Sequence, residues 1–299
     1  MATDSGAPPV APARHEGLRI GGATVPGDRR IEVRYPYTGQ LVGSAVRATP
    51  EQVRQAFEIA GRFRASLTRR QRYQILMNAR EAILAARDEW ARLITLESGL
   101  CLQDTWHEVD RACEVLLFAA NEALVDDGRI FPCDVTEPAQ SRQILTLREP
   151  LLGVICTITP FNHPLNQVVH KVAPAVATNN RMVLKPSERT PLSALAFADV
   201  LYDAGLPPEM LQVVTGDPAE IGEAMITDPH ADLVAFTGSA RVGRRVAELA
   251  GYRRRVLELG GNDPVVVLAD AALAAAARIT ARGAYANSGQ RCTAVKRIL

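Results

Sequence analysis

The chain is 299 residues long, 47% hydrophobic, and carries a formal net charge of +1. That length fits about two domains with sizeable cores, and the near-neutral charge gives no bulk electrostatic basis for binding nucleic acid or a membrane surface. No apolar run approaches the ~18 residues of a membrane span, and no basic segment followed by an apolar one opens the sequence, so no secretory leader is expected.

The five cysteines are Cys101, Cys113, Cys133, Cys156 and Cys292. An odd count without a Cys-x-x-Cys pair argues against both a disulfide framework and a zinc site. Free thiols fit a reducing, cytoplasmic setting. The five histidines include no His-x-x-x-His pair, and no metal site is expected. Basic residues are almost all arginine, which makes Lys171, Lys185 and Lys296 worth inspecting one by one.

In chain order, residues 1–17 are rich in Ala, Pro and Gly and read as a disordered tail. Residues 18–49 read as short strands and turns, broken by Gly21-Gly22, Pro26-Gly27 and Thr38-Gly39. Thr49 caps a helix that begins at Pro50. Leu67-Thr68 leads into a longer one, with apolar side chains from Ile75 to Leu96 at helical spacing, ended by Gly99. A third helix is expected from about Gln103 to Ala123. Residues 129–149 hold two strand-like runs with a polar connection. They suit a protruding hairpin that makes oligomer contacts, or a surface loop.

From 150 onward, apolar runs at 152–157, 182–185, 211–214, 233–236 and 256–259 alternate with helical runs at 164–178, 191–204, 218–227 and 240–250. Five strands separated by crossover-length helices imply an α/β fold with a doubly wound parallel sheet. A further strand, 264–268, and a helix, 271–286, lead to Cys292. Ligands of such sheets bind beyond the carboxyl ends of the strands, so those ends are where chemistry is sought.

Phe236-Thr237-Gly238-Ser239 is a strand, a glycine turn and a helix start, which suits a pyrophosphate or a purely structural turn. It is neither a Walker A loop nor a Gly-x-Gly-x-x-Gly fingerprint. Lys185 ends an apolar strand, with Glu188 three residues on; the pair suits ribose hydroxyls, or is a surface ion pair. A carboxylate there would repel a 2′-phosphate, which favours NAD over NADP. Asn162, between a strand and a helix, is a donor for a developing oxyanion or a helix cap. Cys292 sits in a polar turn, Asn287-Ser288-Gly289-Gln290-Arg291-Cys292, unlike the apolar setting of a structural thiol. Glu258 follows a strand and is either a base for that thiol's chemistry or a strand-end charge.

Five motifs, Pro160-Phe161-Asn162, Lys185-Pro186-Ser187-Glu188, Phe236-Thr237-Gly238-Ser239, Glu258-Leu259-Gly260-Gly261 and Gly289-Gln290-Arg291-Cys292, stand in the order and spacing of the aldehyde dehydrogenase superfamily. The resemblance runs from about residue 20 to residue 299. It implies that Cys292 is the nucleophile, that Asn162 and the Cys292 backbone N–H hold the oxyanion, and that Glu258 activates the hydrolytic water. It further implies a cofactor site of Ile158, Thr159, Pro160, Phe161, Lys185, Ser187, Glu188, Gly216, Gly238, Ser239, Val242, Leu259 and Gly260. The domains would be a cofactor-binding unit (18–128 and 150–259), an oligomerisation hairpin (129–149) in a homodimer or homotetramer, and a partial catalytic domain (260–299). Family members continue well past the cysteine. The resemblance therefore implies the N-terminal part of a longer enzyme, with poor folding or no turnover expected if these 299 residues are the whole product.

Pro160 to Gln167, Glu258 to Pro264 and Glu97 to Cys101 look more closely like the group that oxidises phosphonoacetaldehyde to phosphonoacetate. Arg111, His163 and Arg291 are the expected phosphonate donors, since arginine's planar fork suits such oxygens. The alternatives are a lactaldehyde, succinate semialdehyde or glyceraldehyde-3-phosphate dehydrogenase, or a non-catalytic nucleotide-binding fragment. Transfer of the acyl group to coenzyme A is disfavoured, because Glu258 serves water.

Overall fold

The structure is a computed structural model that describes residues 13–125, 128–134, 142–146, 151 and 153–299. Strands β1 (Arg14–Glu16), β2 (Leu18–Ile20), β3 (Ala23–Val25), β4 (Arg30–Arg34) and β5 (Leu41–Val46) come first. β1, β4 and β5 form a small sheet in the order β1-β5-β4. The expected tail reaches residue 17, but residues 14–16 are a strand. Their backbone pairs with Gly43–Ala45, and His15 Nδ1 lies 2.8 Å from Ser44 Oγ. The remaining tail residues, 1–12, lie outside the described residues.

Helices α1 (Pro50–Arg62), α2 (Arg69–Ala85), α3 (Arg87–Ser98) and α4 (Leu102–Glu122) follow. Thr49 and Thr68 each form a capping box, with Gln52 and Gln71, that satisfies amides at the starts of α1 and α2. Gly99 ends α3 in the left-handed conformation, φ 78°. The helix expected from Leu67 to Gly99 is two helices, hinged at Ala86 (φ −109°, ψ 27°). No glycine or proline marks the hinge. The bend lets α3 reach α4, where Arg87 grips both oxygens of Asp110 at 2.6 and 2.7 Å. Asp88 and Glu89, acids in the first turn of α3, are its only local signal.

β6 (Arg129–Pro132) pairs antiparallel with β7 (Gln143–Thr146), so the expected hairpin forms, with Ile130, Phe131, Ile144 and Leu145 exposed. Residues 135–141 and 147–149, part of the same expectation, lie outside the described residues.

The main sheet is then built by β8 (Val154–Ile158), α5 (Asn166–Ala177), β9 (Arg181–Lys185), α6 (Leu192–Asp203), β10 (Leu211–Val213), α7 (Pro218–Thr227), β11 (Ala231–Gly238), α8 (Ala240–Ala250) and β12 (Arg254–Leu259). Its order is β12-β11-β8-β9-β10-β2-β3, with the first five parallel. The N-terminal hairpin β2–β3 adds antiparallel to the β10 edge, turning through Gly21 and Gly22 at positive φ. β8 leads to β9 and β10 on one side, while β11 and β12 lie on the other. The gap between β8 and β11 is the topological switch point.

Strand alternation loads both faces. Met182 and Leu184 point into a core with α2 to α6, and Val183 points into a second core with α1, α7 and α8. After the sheet come β13 (Asp263–Val265), α9 (Leu273–Tyr285), a short 3-10 turn (Ala286–Gly289) and β14 (Val295–Ile298), which is parallel to β13. The strand expected over 264–268 is thus shorter, although Val267 N still bonds Leu299 O at 2.8 Å. No helix among the described residues is long and apolar enough to cross a membrane.

Two buried glutamates tie helices to this frame. Glu97 accepts from Leu192 N (2.8 Å), Ser193 N (3.1 Å) and the Ser193 hydroxyl at the start of α6. Glu108 accepts from Leu165 N (2.9 Å) and Asn166 N (3.0 Å) at the start of α5. Burial pushes Glu97 up to about 7, against the pull of its donors. A folded-state value above the ordinary 4.5 means that the folded chain holds an extra proton between those limits. The contribution is full below pH 4.5 and lost as pH rises through 7, a fall of about 3 kcal/mol. Urea unfolding of the parent and Glu97→Gln at pH 5 and pH 8 should show that loss in the parent alone.

Candidate active site

Phe161 and Asn162 follow β8 at the switch point, and Thr237 and Gly238 end β11 beside it. These ends, the end of β12, one face of α5 and the turn after α9 enclose a cleft of about 730 Å³. Asn162, Glu258 and Cys292 all line it, although 130 residues separate the first from the last. Cys292 is exposed to it.

The turn that presents Cys292 is strained. Asn287 (φ 56°), Ser288 (φ 55°) and Gly289 (φ 69°) are successive left-handed residues, and two of them are not glycine. Asn287 Nδ2 donates to Asn162 O at 3.0 Å, and Asn162 Nδ2 donates to Gln290 O at 2.7 Å. This reciprocal pair locks the β8 loop to the cysteine turn. It also ties the Asn162 amide to the turn two residues before Cys292, with one of its two N–H groups left over. Gly261, at φ 138°, lies against the same turn; a Cβ there would sit 1.9 Å from Cys292 O.

The residues expected to hold a nucleotide are laid out around the switch point. Lys185 is buried at the end of β9, and its Nζ has only long contacts, 3.3 Å to Pro186 O and 3.6 Å to Glu188 Oε2. Burial pulls its ammonium below the ordinary value, and Glu188 opposes that. Ser187 Oγ accepts from Arg189 N at 3.2 Å and shapes this loop. Thr159 N bonds Lys185 O, joining Ile158 and Thr159 to the Lys185 end. Ser239 caps α8, accepting from Val242 N, so the first turn of α8 faces the cleft edge. Gly260 N bonds Gly238 O at 3.0 Å, and a Cβ on Gly238 would meet the Phe236 ring at 2.5 Å. A Cβ on Gly216 would meet Ile221 at 2.6 Å. Thr159 Oγ1 and Thr237 Oγ1 are buried without hydrogen-bond partners. An under-used buried ammonium and a capped helix start fit a dinucleotide, while the glycine contacts reflect internal packing.

The expected substrate donors separate. Arg291 lines the cleft, but its Nη2 donates to Gly283 O at 2.9 Å and its Nε is buried without a partner. His163 does not line it; its Nδ1 lies 3.4 Å from Glu108 Oε2. Arg111 is exposed on α4, away from the lining, and close enough to His170 for its charge to act there. No site role follows from the sequence for Gln167, His170, Lys171 or Lys296, all of which line the cleft. The first three are spaced three and four apart on α5, a helical face that the motif search did not test. Partial burial and the charges of Arg111 and Lys171 hold His170 below its ordinary value. Burial lowers Lys171, and Glu258 partly restores it.

Residues 24–299 match the model of the aldehyde dehydrogenase family. The chain belongs to that family. Its curated relatives include the 3-sulfolactaldehyde dehydrogenase of Priestia aryabhattai, 37% identical over 94% of this chain and 59% of that protein. Aspartate-semialdehyde dehydrogenase 1 of Pseudomonas canavaninivorans is 40% identical over 90% of this chain and 57% of its own length. Among solved structures, an NAD-dependent aldehyde dehydrogenase from Sinorhizobium meliloti superposes with a TM-score of 0.91 at 32% identity, over 100% of this chain and 60% of that one. The chain thus spans under two-thirds of the length of these relatives. The α/β fold expected from the alternating strands and helices is the fold of the family.

Proposed function

We propose that the protein oxidises a small anionic aldehyde to the carboxylic acid, with NAD as the hydride acceptor. The observation that carries this is the meeting of Cys292, Glu258 and Asn162 in one cleft at the switch point. In this reading Cys292 Sγ adds to the aldehyde carbon, and the resulting oxyanion is received by Asn162 Nδ2 and the Cys292 N–H. NAD, when bound, would supply the acceptor for the hydride of this carbon. What remains on Cys292 is a thioester. Glu258 takes a proton from water, the hydroxide adds to the thioester carbon, and the C–S bond breaks to free the acid and the thiolate. Lys185 and Glu188 would hold the adenine ribose, and Ser239 with the start of α8 the pyrophosphate. Glu188 beside Lys185 favours NAD over NADP, since its charge opposes a 2′-phosphate.

The substrate class rests on charge. Lys171 and Arg291 line the cleft as cations, and Glu258 is the acid among its lining residues. The specific substrate proposed is phosphonoacetaldehyde. A sulfonate such as sulfolactaldehyde is the second reading, favoured by the relative of that name, and a semialdehyde is the third. The protein would work as a homodimer or homotetramer in the cytoplasm, with the β6–β7 hairpin at a subunit contact.

Initial rates of NAD(P)H formation by the longer enzyme that the resemblance implies, with phosphonoacetaldehyde, sulfolactaldehyde, succinate semialdehyde and acetaldehyde, each with NAD and with NADP, test the proposal. The expected kcat/KM with NAD is at least ~100-fold higher for the phosphonate than for acetaldehyde, in line with the worth of a site's polar contacts to a substrate group. Equal values for the two would remove the anionic-substrate reading and leave the chemistry.

A further inference from the structure

Lys296 follows Cys292 by four residues at the start of β14, and its side chain turns back onto the cysteine turn. Its Nζ lies 3.0 Å from Arg291 O, 3.2 Å from Cys292 O and 3.4 Å from Ala294 O. An ammonium has three N–H donors, and here it faces three carbonyls of one turn. Arg291 O belongs to the same peptide unit as the Cys292 N–H. A trans peptide is planar, so its C=O and N–H point in opposite directions. Fixing Arg291 O on a cation therefore aims the Cys292 N–H away from Lys296. Charge on the carbonyl also polarises the peptide and makes that N–H a stronger donor.

We propose that Lys296 is a positioning residue that orients and polarises the 291–292 peptide, so that the Cys292 N–H receives the oxyanion formed at Cys292. This rests on the reading of Cys292 as the nucleophile. Lys296 acts through the peptide, and the substrate charge is a separate matter.

Two reactions of the same thiol distinguish the role. Acylation by p-nitrophenyl acetate forms an S–C bond at the ester carbonyl through an oxyanion and expels p-nitrophenolate. Alkylation by iodoacetamide displaces iodide and forms no oxyanion. Neither needs a cofactor. Both would be followed in the purified protein and in its Lys296→Met and Lys296→Arg variants, with Cys292→Ala as the blank. Loss of one oxyanion donor costs about 10²–10³-fold, so a misaimed one should slow acylation by at least ~10-fold in Lys296→Met. Alkylation should stay within about twofold, and Lys296→Arg, which keeps donors and charge, should recover most of the acylation rate. Unchanged acylation, or equal falls in both reactions, would overturn the proposal. If the unaltered protein's acylation matched the Cys292→Ala blank, the nucleophile reading itself would fail instead.

Discussion

Replacing Cys292 with alanine is expected to lower aldehyde oxidation by about 10⁴-fold or more, with cofactor affinity nearly unchanged. The thiol is the group proposed to bond to the substrate carbon, and losses of that size follow removal of a nucleophile. Cofactor binding should survive because the residues proposed to hold it, Lys185, Glu188 and Ser239, lie on β9, its following loop and the start of α8, and none is on the cysteine turn. Steady-state rates and a cofactor titration of the same preparation measure both. Glu258→Gln supplies the contrast. If Glu258 acts on the thioester, a stoichiometric burst of NADH should remain in that variant while turnover falls, and in Cys292→Ala the burst should be absent. A Cys292→Ala protein with half the parent rate would end the covalent reading.

Gly261→Ala should also be damaging, without removing any reactive group. Gly261 has φ 138°, a region that side chains rarely adopt, and the added Cβ would sit 1.9 Å from Cys292 O and 2.8 Å from Cys292 Cα. The obstacle is backbone, so no side-chain rotation relieves it. Either the 258–261 loop moves, taking Glu258 with it, or the cysteine turn moves and breaks the Asn162–Gln290 bond. Displacements of about 1 Å at a reacting centre can cost about 100-fold in rate. The expected result is a loss of at least ~100-fold in kcat. Stability falls by roughly 3 kcal/mol, the tail of single substitutions where strain at a special φ meets a clash. Rate and urea midpoint together test this, and parent values for both would show that the turn is more compliant than its packing implies.

The sheet was legible because its signals are local. Apolar runs at 182–185 and 211–214 are bounded by Gly, Pro and polar clusters, and each matches a strand to within a residue or two. The helix–helix hinge at Ala86 was not, since Ala85-Ala86-Arg87 is good helix sequence and the bend answers to Asp110 on another helix. The site divides in the same way. Cys292, Glu258 and Asn162 stand at strand or helix ends, where a parallel sheet collects ligands, and the structure brings them into one cleft. His163 was assigned by its neighbour Asn162, yet its ring turns towards Glu108, a residue 55 positions away that nothing local connects to it. Lys296 was visible only as one of three lysines; its role depends on a side chain folding back over four residues.

The order of the main sheet has a consequence for how this molecule can diversify. Lys185 ends β9 and Glu258 lies in β12, and β8 and β11 stand between them. Three strand spacings separate the two, roughly 14 Å in the sheet, beyond the range at which substitutions usually couple. In the proposed reading, nucleotide preference and the fate of the acyl group are therefore written on different strands. A lineage can change which dinucleotide it accepts without disturbing how it releases product, and the reverse. Such a molecule is free to explore one trait at a time.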